Sequence, residues 1–333
     1  MLDKKTFGQY FTKKDLWLKP QIKKFIEDSK CKIVYDPFAG EGDLLKISDE
    51  YGIEECVGLD IDDSLKWIYN DSLENIPHID NAIIITNPPY LTKYSASRKH
   101  LINDKLNKYF VYHTDLYQLA IDKILEAQEF AVVIVPETYI NSTFFKEHLE
   151  RIYSITILTE NPFADTENPV CVVCFDNVKK IPPYIKVYAD DEYLNDYSYF
   201  NELKLKPKND YSIKFNAKEG KLALRAVDLT TADKRIEFME VDKLKYDLSK
   251  IKVSSRLITI IDLDCSNIEL KQLVKECNRI LNEYREETKD ITLSPFKGNT
   301  KDGKRRRRLD YKTARSIIEK AIGNLNEMEA KQC

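Results

Sequence analysis

The sequence predicts an α/β protein built on a doubly wound, mostly parallel sheet, with a smaller second domain behind it. Three observations carry this expectation. Short apolar, β-branched runs alternate with helical patterns over about the first 175 residues. Two of those runs, Cys31-Lys32-Ile33-Val34-Tyr35-Asp36 and Ala82-Ile83-Ile84-Ile85-Thr86, stop in turns at the carboxyl end of a strand, where open α/β sheets bind ligands. From about Pro182 the alternation gives way to mixed segments rich in tyrosine and lysine. At 333 residues the chain is long enough for two domains. The boundary is expected near residue 180, giving a catalytic domain over 1–180 and a second domain over 181–333.

Bulk composition narrows the function classes. With 43% hydrophobic and 32% charged residues and a net charge of −3, the chain is globular and has no global basic balance. Any surface for a polyanion must therefore be local. The seven cysteines are scattered and odd in number, as in a reduced, cytoplasmic protein, and no signal peptide is read at the amino terminus. Cys171 and Cys174 have C-x-x-C spacing but lie in a strand pattern, which sends them to opposite faces and argues against zinc or redox use. His78, His100, His113 and His148 show no ligand spacing, so no metal site is expected. No apolar run approaches ~20 residues, so no membrane span is expected.

In chain order, Gly8-Gln9-Tyr10-Phe11-Thr12 precedes a helical pattern from about Leu18 to Asp28. A Gly and a Thr among aromatics suit a ligand lid or, more plainly, a tether onto the core. The first strand, Cys31 to Asp36, runs into Pro37-Phe38-Ala39-Gly40-Glu41-Gly42 and a helix expected from Leu44. Strand, glycine turn and helix start is the arrangement that lets a backbone approach a ligand closely. Asp36 puts a carboxylate beside that ligand, which disfavours a pyrophosphate and favours a cationic one such as S-adenosylmethionine. The second strand ends on Asp60, about twenty residues after the glycines, where an acid accepts ribose hydroxyls. Trp67 to Asp71 reads as a third strand whose link from Asp60 is unusually short for a crossover, so either the intervening helix is vestigial or the strand is only an edge stub.

The fourth strand leads into Asn87-Pro88-Pro89-Tyr90. Two prolines lock φ, remove two donors and end both strand and helix. They hold the Asn87 amide and neighbouring carbonyls as a stiff row of acceptors followed by an aromatic. That array suits a planar base held by its amino group and stacked on its face. Residues 91 to 115, with Lys93, Arg98 and Lys99, read as a mobile flap or a solvated loop. An amphipathic helix over Asp115 to Leu125, a strand over Phe130 to Val135, a helix over 144 to 152 and strands over 154 to 158 and 170 to 175 complete the sheet. In the second domain, helices are expected over Ile268 to Glu287 and from about Asp310. Between them lies Lys304-Arg305-Arg306-Arg307-Arg308. Five consecutive cations in a net negative chain fit a polyanion-binding patch better than a solvated segment.

Taken together, Gly8 to Thr12, Asp36 to Gly42, Asp60, Asp71, Asn87 to Tyr90, Asp115-Leu116-Tyr117 and Val135-Pro136-Glu137-Thr138-Tyr139 stand in one order. The chain thereby resembles the γ class of N6-adenine DNA methyltransferases of restriction–modification systems, in which such motifs precede a target-recognition domain. The resemblance covers roughly the first 175 residues; the remainder matches only in position and size. It implies a class-I S-adenosylmethionine-dependent methyltransferase sheet of seven strands, one antiparallel near its edge, with a C-terminal α+β target-recognition domain. It further implies that Gln9, Tyr10, Phe11 and Thr12 close over S-adenosylmethionine, that Asp36, Phe38, Ala39, Gly40 and Gly42 wrap it, and that Asp60 and Asp71 bind its nucleoside. Asn87, Pro88, Pro89 and Tyr90 would form the catalytic turn. Phe163 falls where the family has a second stacking aromatic, and a Phe after Pro162 in a polar loop is a poor core candidate. Double-stranded DNA is the implied partner, with a cognate restriction endonuclease acting on the same site as the companion activity. Two other readings stay open: an RNA or protein-glutamine N-methyltransferase, and a non-catalytic DNA-specificity subunit.

Overall fold

The computed structural model describes residues 14–163, 167–178, 184–231, 235–244, 257–264 and 268–331. Gln9, Tyr10, Phe11 and Thr12 lie outside the described residues. The chain divides into two compact units, Met1–Ser198 and Tyr199–Cys333.

The first unit is a nine-stranded sheet of β1 (Ile33–Asp36), β2 (Glu55–Asp60), β3 (Ile68–Tyr69), β4 (Ala82–Thr86), β5 (Phe130–Pro136), β6 (Ile152–Ile157), β7 (Val170–Phe175), β8 (Lys186–Ala189) and β9 (Glu192–Asp196). Their spatial order is β3-β2-β1-β4-β5-β7-β6-β8-β9. β3, β2, β1, β4 and β5 are parallel, and β7 runs antiparallel between β5 and β6. Strand order reverses between β1 and β4, which opens a crevice at their carboxyl ends. Every residue of β4 and β7 is buried, as continuous Ile and Val runs dictate when a strand is covered on both faces. Val34, Ile83, Ile85, Val132 and Val172 pack with Ile22, Phe25 and Ile26 of helix α1 (Pro20–Ser29) in one core cluster. Cys171 and Cys174 sit inside this sheet, and burial pushes the Cys174 thiol up to about 12.

Several expectations shift in detail. The unit boundary falls after Ser198 rather than at 180, because the β8–β9 hairpin extends the first sheet beyond β6. The helix expected from Leu44 is a 3₁₀ helix, Leu44–Glu50, with Leu44, Leu45 and Ile47 buried. Leu44 and Ile47 are three apart, which eclipses them on a three-residue turn. Of the two alternatives for the third strand, β3 is the edge stub, two residues long. Residues 91–115 are no open loop. Helices Lys93–Arg98 and Asp104–Tyr109, each capped by a side chain (Thr92 and Asn103), enclose a small core of Leu91, Ala96, Leu106, Tyr109, Phe110 and Leu116. Leu116 opens helix α2 (Leu116–Ala127), which carries a capping box between Asp115 and Gln118.

The second unit holds a four-stranded antiparallel sheet in the order β10 (Ile213–Phe215), β13 (Ile258–Leu263), β11 (Leu222–Arg225), β12 (Glu237–Glu240). Helices α3 (Leu270–Thr288) and α4 (Tyr311–Ala330) pack on it through Leu273, Cys277, Ile280, Leu281, Ile317, Ile318 and Ala321. A separate hairpin pairs β14 (Ser294–Asn299) with β15 (Arg305–Arg308). No helix among the described residues is long and apolar enough to cross a membrane.

Candidate active site

The crevice between β1 and β4 collects the residues that the sequence singles out. Asp36 ends β1 and is buried. Its Oδ1 accepts hydrogen bonds from the Thr86 hydroxyl, 2.6 Å away at the end of β4, and from the Phe38 amide at 3.0 Å. Burial pushes the Asp36 carboxyl up to about 7; these two donors work against the rise and the charge of Asp60 adds to it. A buried acid poised in this way gains most from a cation placed beside it.

Asp60 ends β2 and is also buried. Its Oδ2 accepts the Gly40 amide and its Oδ1 the Asp62 amide, both at 2.9 Å. An ionised carboxylate has about four acceptor sites, so two remain for ligand hydroxyls. Gly40 has φ +50°, and a Cβ built there would meet nothing within 4 Å. It faces open space, as a ligand cradle requires. Gly42 is different: at φ +80°, its Cβ would stand 2.5 Å from the Trp67 ring. A Cβ on Gly58 would come within 2.4 Å of the same ring. Trp67 lies over both glycines, and its Nε1 donates to the Gly40 carbonyl at 2.7 Å. The indole thus fills the place of the missing crossover helix and buttresses the loop from behind. A buried acid, an acid with spare acceptors and a Cβ-free cradle fit a cationic nucleoside.

Trp67 and Thr86 carry this geometry without having been singled out from the sequence. A lone tryptophan in an unusually short link was the available signal for the first. Gly58→Ala should drive the Trp67 ring off the loop. The expected result is a shifted tryptophan emission, a loss of about 1–3 kcal/mol of stability and weaker cofactor binding. Emission and affinity equal to the parent would show that the ring does not hold the loop.

Asp71 is committed elsewhere. Its Oδ2 accepts the Tyr109 hydroxyl at 2.8 Å and pairs with Lys105 Nζ at 2.5 Å, while Oδ1 accepts the Leu73 amide at 3.2 Å. It latches the 104–109 helix to the end of β3.

The Asn87-Pro88-Pro89-Tyr90 turn follows β4 directly. Pro88 is buried, while Asn87, Pro89 and Tyr90 are partly exposed. The Tyr90 hydroxyl donates to Asn87 Oδ1 and lies 2.7 Å from the Ile134 carbonyl oxygen of β5. A donor on Oδ1 orients the Asn87 amide and leaves the oxygen a second lone pair. The Tyr90 ring packs edge-on against Tyr117 at 6.2 Å and Phe163 at 6.4 Å. Phe163 corrects one expectation: it is 5% exposed and belongs to the core cluster. The loop explains this, because Asn161 Oδ1 accepts the Phe163 amide at 3.0 Å and Asn161 Nδ2 donates to Asn168 O at 3.2 Å, folding the ring inward.

The basic run is also reordered. It forms β15, and strand alternation turns Arg305 and Arg307 inward, where both are buried. Arg306 donates to the carbonyls of Asp228 at 2.8 Å and Lys297 at 3.1 Å, and its guanidinium lies 4.8 Å from the centre of the Phe296 ring. Five phosphates cannot be met by these five side chains. Lys304, Arg306 and Arg308 are the ones on the outward face.

Residues 11–161 match the family model described as Eco57I restriction-modification methylase. The match spans less than half of the chain; the segment is similar to a methylase family, and S-adenosylmethionine is the cofactor that this similarity supports. No curated protein matches the chain. Among solved structures, a Listeria monocytogenes protein assigned to the class I S-adenosylmethionine-dependent methyltransferases is 15% identical, with a TM-score of 0.38, over 51% of this chain and 62% of that one. The methyltransferase subunit of a type I restriction-modification system from Streptococcus thermophilus is 15% identical, TM-score 0.39, over 58% of this chain and 51% of that one. The M protein of the type I restriction enzyme EcoKI is 14% identical, TM-score 0.34, over 85% of this chain and 72% of that one. The chain thus spans less than two thirds of the first two, and at these scores the likenesses carry no functional argument. Among the described residues, no group of three or more His, Cys, Asp or Glu is arranged to hold a metal.

Proposed function

We propose that the chain is a site-specific DNA methyltransferase acting on N6 of an adenine taken out of the duplex, as the modification activity of a restriction–modification system. The observation that carries this reading is the Asn87-Pro88-Pro89-Tyr90 turn at the end of β4, across the crevice from Asp36 and the Gly40 cradle. S-adenosylmethionine, when bound, supplies an electrophilic methyl group. Asp36, the 38–42 loop and Asp60 orient it. The adenine amino group is a poor nucleophile because its lone pair is delocalised into the ring. The Asn87 side-chain oxygen and the Pro88 carbonyl accept its two hydrogens, favour a pyramidal nitrogen and stabilise the positive charge that grows on N6. The Tyr90 hydroxyl keeps the Asn87 oxygen, rather than its NH₂ group, aimed for this task. Extruding the base costs a few kcal/mol, and stacking on the Tyr90 ring offsets about 1–3 kcal/mol of that.

Sequencing DNA from an expressing host with modification detection tests the whole reading. N6-methyladenine at one recurrent sequence is expected; unmodified DNA from a chain that binds S-adenosylmethionine would leave a reader without catalysis. Base extrusion has its own test, with 2-aminopurine at the target position. Tyr90→Ala should change the fluorescence response strongly. Phe163→Ala should change it less, through the loss of support behind Tyr90. Identical responses from both variants and the parent would remove the stacking role.

A further inference from the structure

The segment between the catalytic turn and helix α2 carries features that neither its small core nor the site uses. Tyr94 is 74% exposed, Tyr112 86% and Val111 64%. A tyrosine on a solvated surface costs apolar exposure, and two together beside a valine call for a partner. Between and around them stand Lys93, Arg98, Lys99, Lys105 and Lys108 against Asp104 and Asp115, a local excess of cations in a chain of net charge −3. Lys105 is taken by Asp71, and Lys93 Nζ reaches the Phe110 carbonyl at 3.4 Å. Arg98, Lys99 and Lys108 are exposed and form no ion pair among the described residues. The two tyrosines share one end of the segment. Thr92 bridges Asp115 in antiparallel fashion and the Lys93 amide donates to Thr114 O at 2.9 Å, which brings the start of the first short helix against the Tyr112–Thr114 stretch. The same end adjoins the catalytic turn, since the Leu116 amide donates to Leu91 O at 3.2 Å and the Tyr117 ring meets Tyr90.

We propose that residues 91–115 form a nucleic-acid contact surface at the rim of the site. Tyr94 and Tyr112 stack on the bases beside the extruded one, and Arg98, Lys99 and Lys108 neutralise phosphates. Exposed aromatics interleaved with cations are what unstacked duplex requires: π-faces for bases and positive charge for the backbone. The inference rests on the proposed DNA substrate. It assigns rigid placement to the surface, because the 104–109 helix is latched to Asp71 at the end of β3.

The test uses the full chain and a labelled duplex bearing the sequence found modified in host DNA, or a mixed-sequence duplex if none is modified. Affinity is measured over a salt series for the parent, for Tyr94→Ala/Tyr112→Ala and for Arg98→Ser/Lys99→Ser/Lys108→Ser, with S-adenosylmethionine binding as the folding control. The tyrosine variant should bind about tenfold or more weakly with an unchanged salt slope. The charge variant should also bind more weakly, and its slope should flatten by up to about 2.7 units, since each phosphate contributes ~0.9. Cofactor binding should equal the parent's in both. Parent-like affinity and slope in both variants would overturn the surface, as would a parent that binds no duplex. Weakened variants alongside a parent that makes no N6-methyladenine would keep the surface and remove the adenine assignment. A surface built to dock a protein instead predicts parent-like DNA binding, which overturns the proposal.

Discussion

Asn87→Ala is expected to lose methyl transfer by at least about 10²–10³-fold while S-adenosylmethionine and DNA still bind. The magnitude follows from what one oriented acceptor is worth where charge develops in the transition state, by analogy with a single oxyanion-hole donor. The fold has little stake in the change. Asn87 is partly exposed and outside the hydrophobic clusters, and the Tyr90 hydroxyl retains the Ile134 carbonyl as acceptor. Ala accepts the extended backbone that a following proline demands. Asn87→Asp keeps an oxygen in position and should retain more activity than Ala. Transfer by the Ala variant within a few-fold of the parent would sink the acceptor role, whatever the fate of the DNA reading.

How much of this site could be read beforehand depended on whether a residue's task is local. The turn after β4 is local: two prolines and a strand end are written in four consecutive letters, and the structure puts them at the switch point. Gly40 and Asp60 were equally legible, because strand–glycine–helix and an acid twenty residues on are patterns of spacing. Trp67 was not, since its role is to cover Gly42 and Gly58 from another part of the chain. Thr86 reads as a strand residue until the β1–β4 pairing sets its hydroxyl against Asp36. Phe163 shows the opposite failure: its polar neighbours suggested exposure, but Asn161 turns the loop inward. Segment 91–115 looked like open loop because its five core residues are widely spaced and meet, with Leu116, only when two short helices pair.

The second unit was the least legible, and Asp228 explains why its basic run misled. Asp228 is fully buried. Its carboxylate takes a bidentate pair from Arg285, with both nitrogen–oxygen distances 2.9 Å, and also accepts the amides of Ile236 at 3.0 Å and Arg307 at 3.1 Å. Its own amide donates to Arg307 O at 3.0 Å. One acid seventy-nine residues upstream in the chain therefore seats β15, which no local charge pattern reveals. Burial alone would raise the Asp228 pKa, but the Arg285 hydrogen bonds and charge, with the two amides, hold it below the usual carboxylate range. The sign follows: this contribution is present above about pH 4, the unfolded value, and is lost as the pH falls through the lower folded value. Asp228→Ala leaves Arg285 buried beside a void and two amides without their acceptor. Breaking a buried pair costs about 3–5 kcal/mol, and the low end applies here because Asp290 still holds Arg285 through two bonds of 2.8 Å. Calorimetry should show the unfolding of residues 199–333 shifted down by roughly 10 °C at pH 7. The variant and the parent should converge on acidification below about pH 4, because the parent then loses the same carboxylate. Binding of S-adenosylmethionine by the first unit should persist. A shift under a few degrees at pH 7, or one that stays constant into acid, would show that Asp228 does not seat the strand.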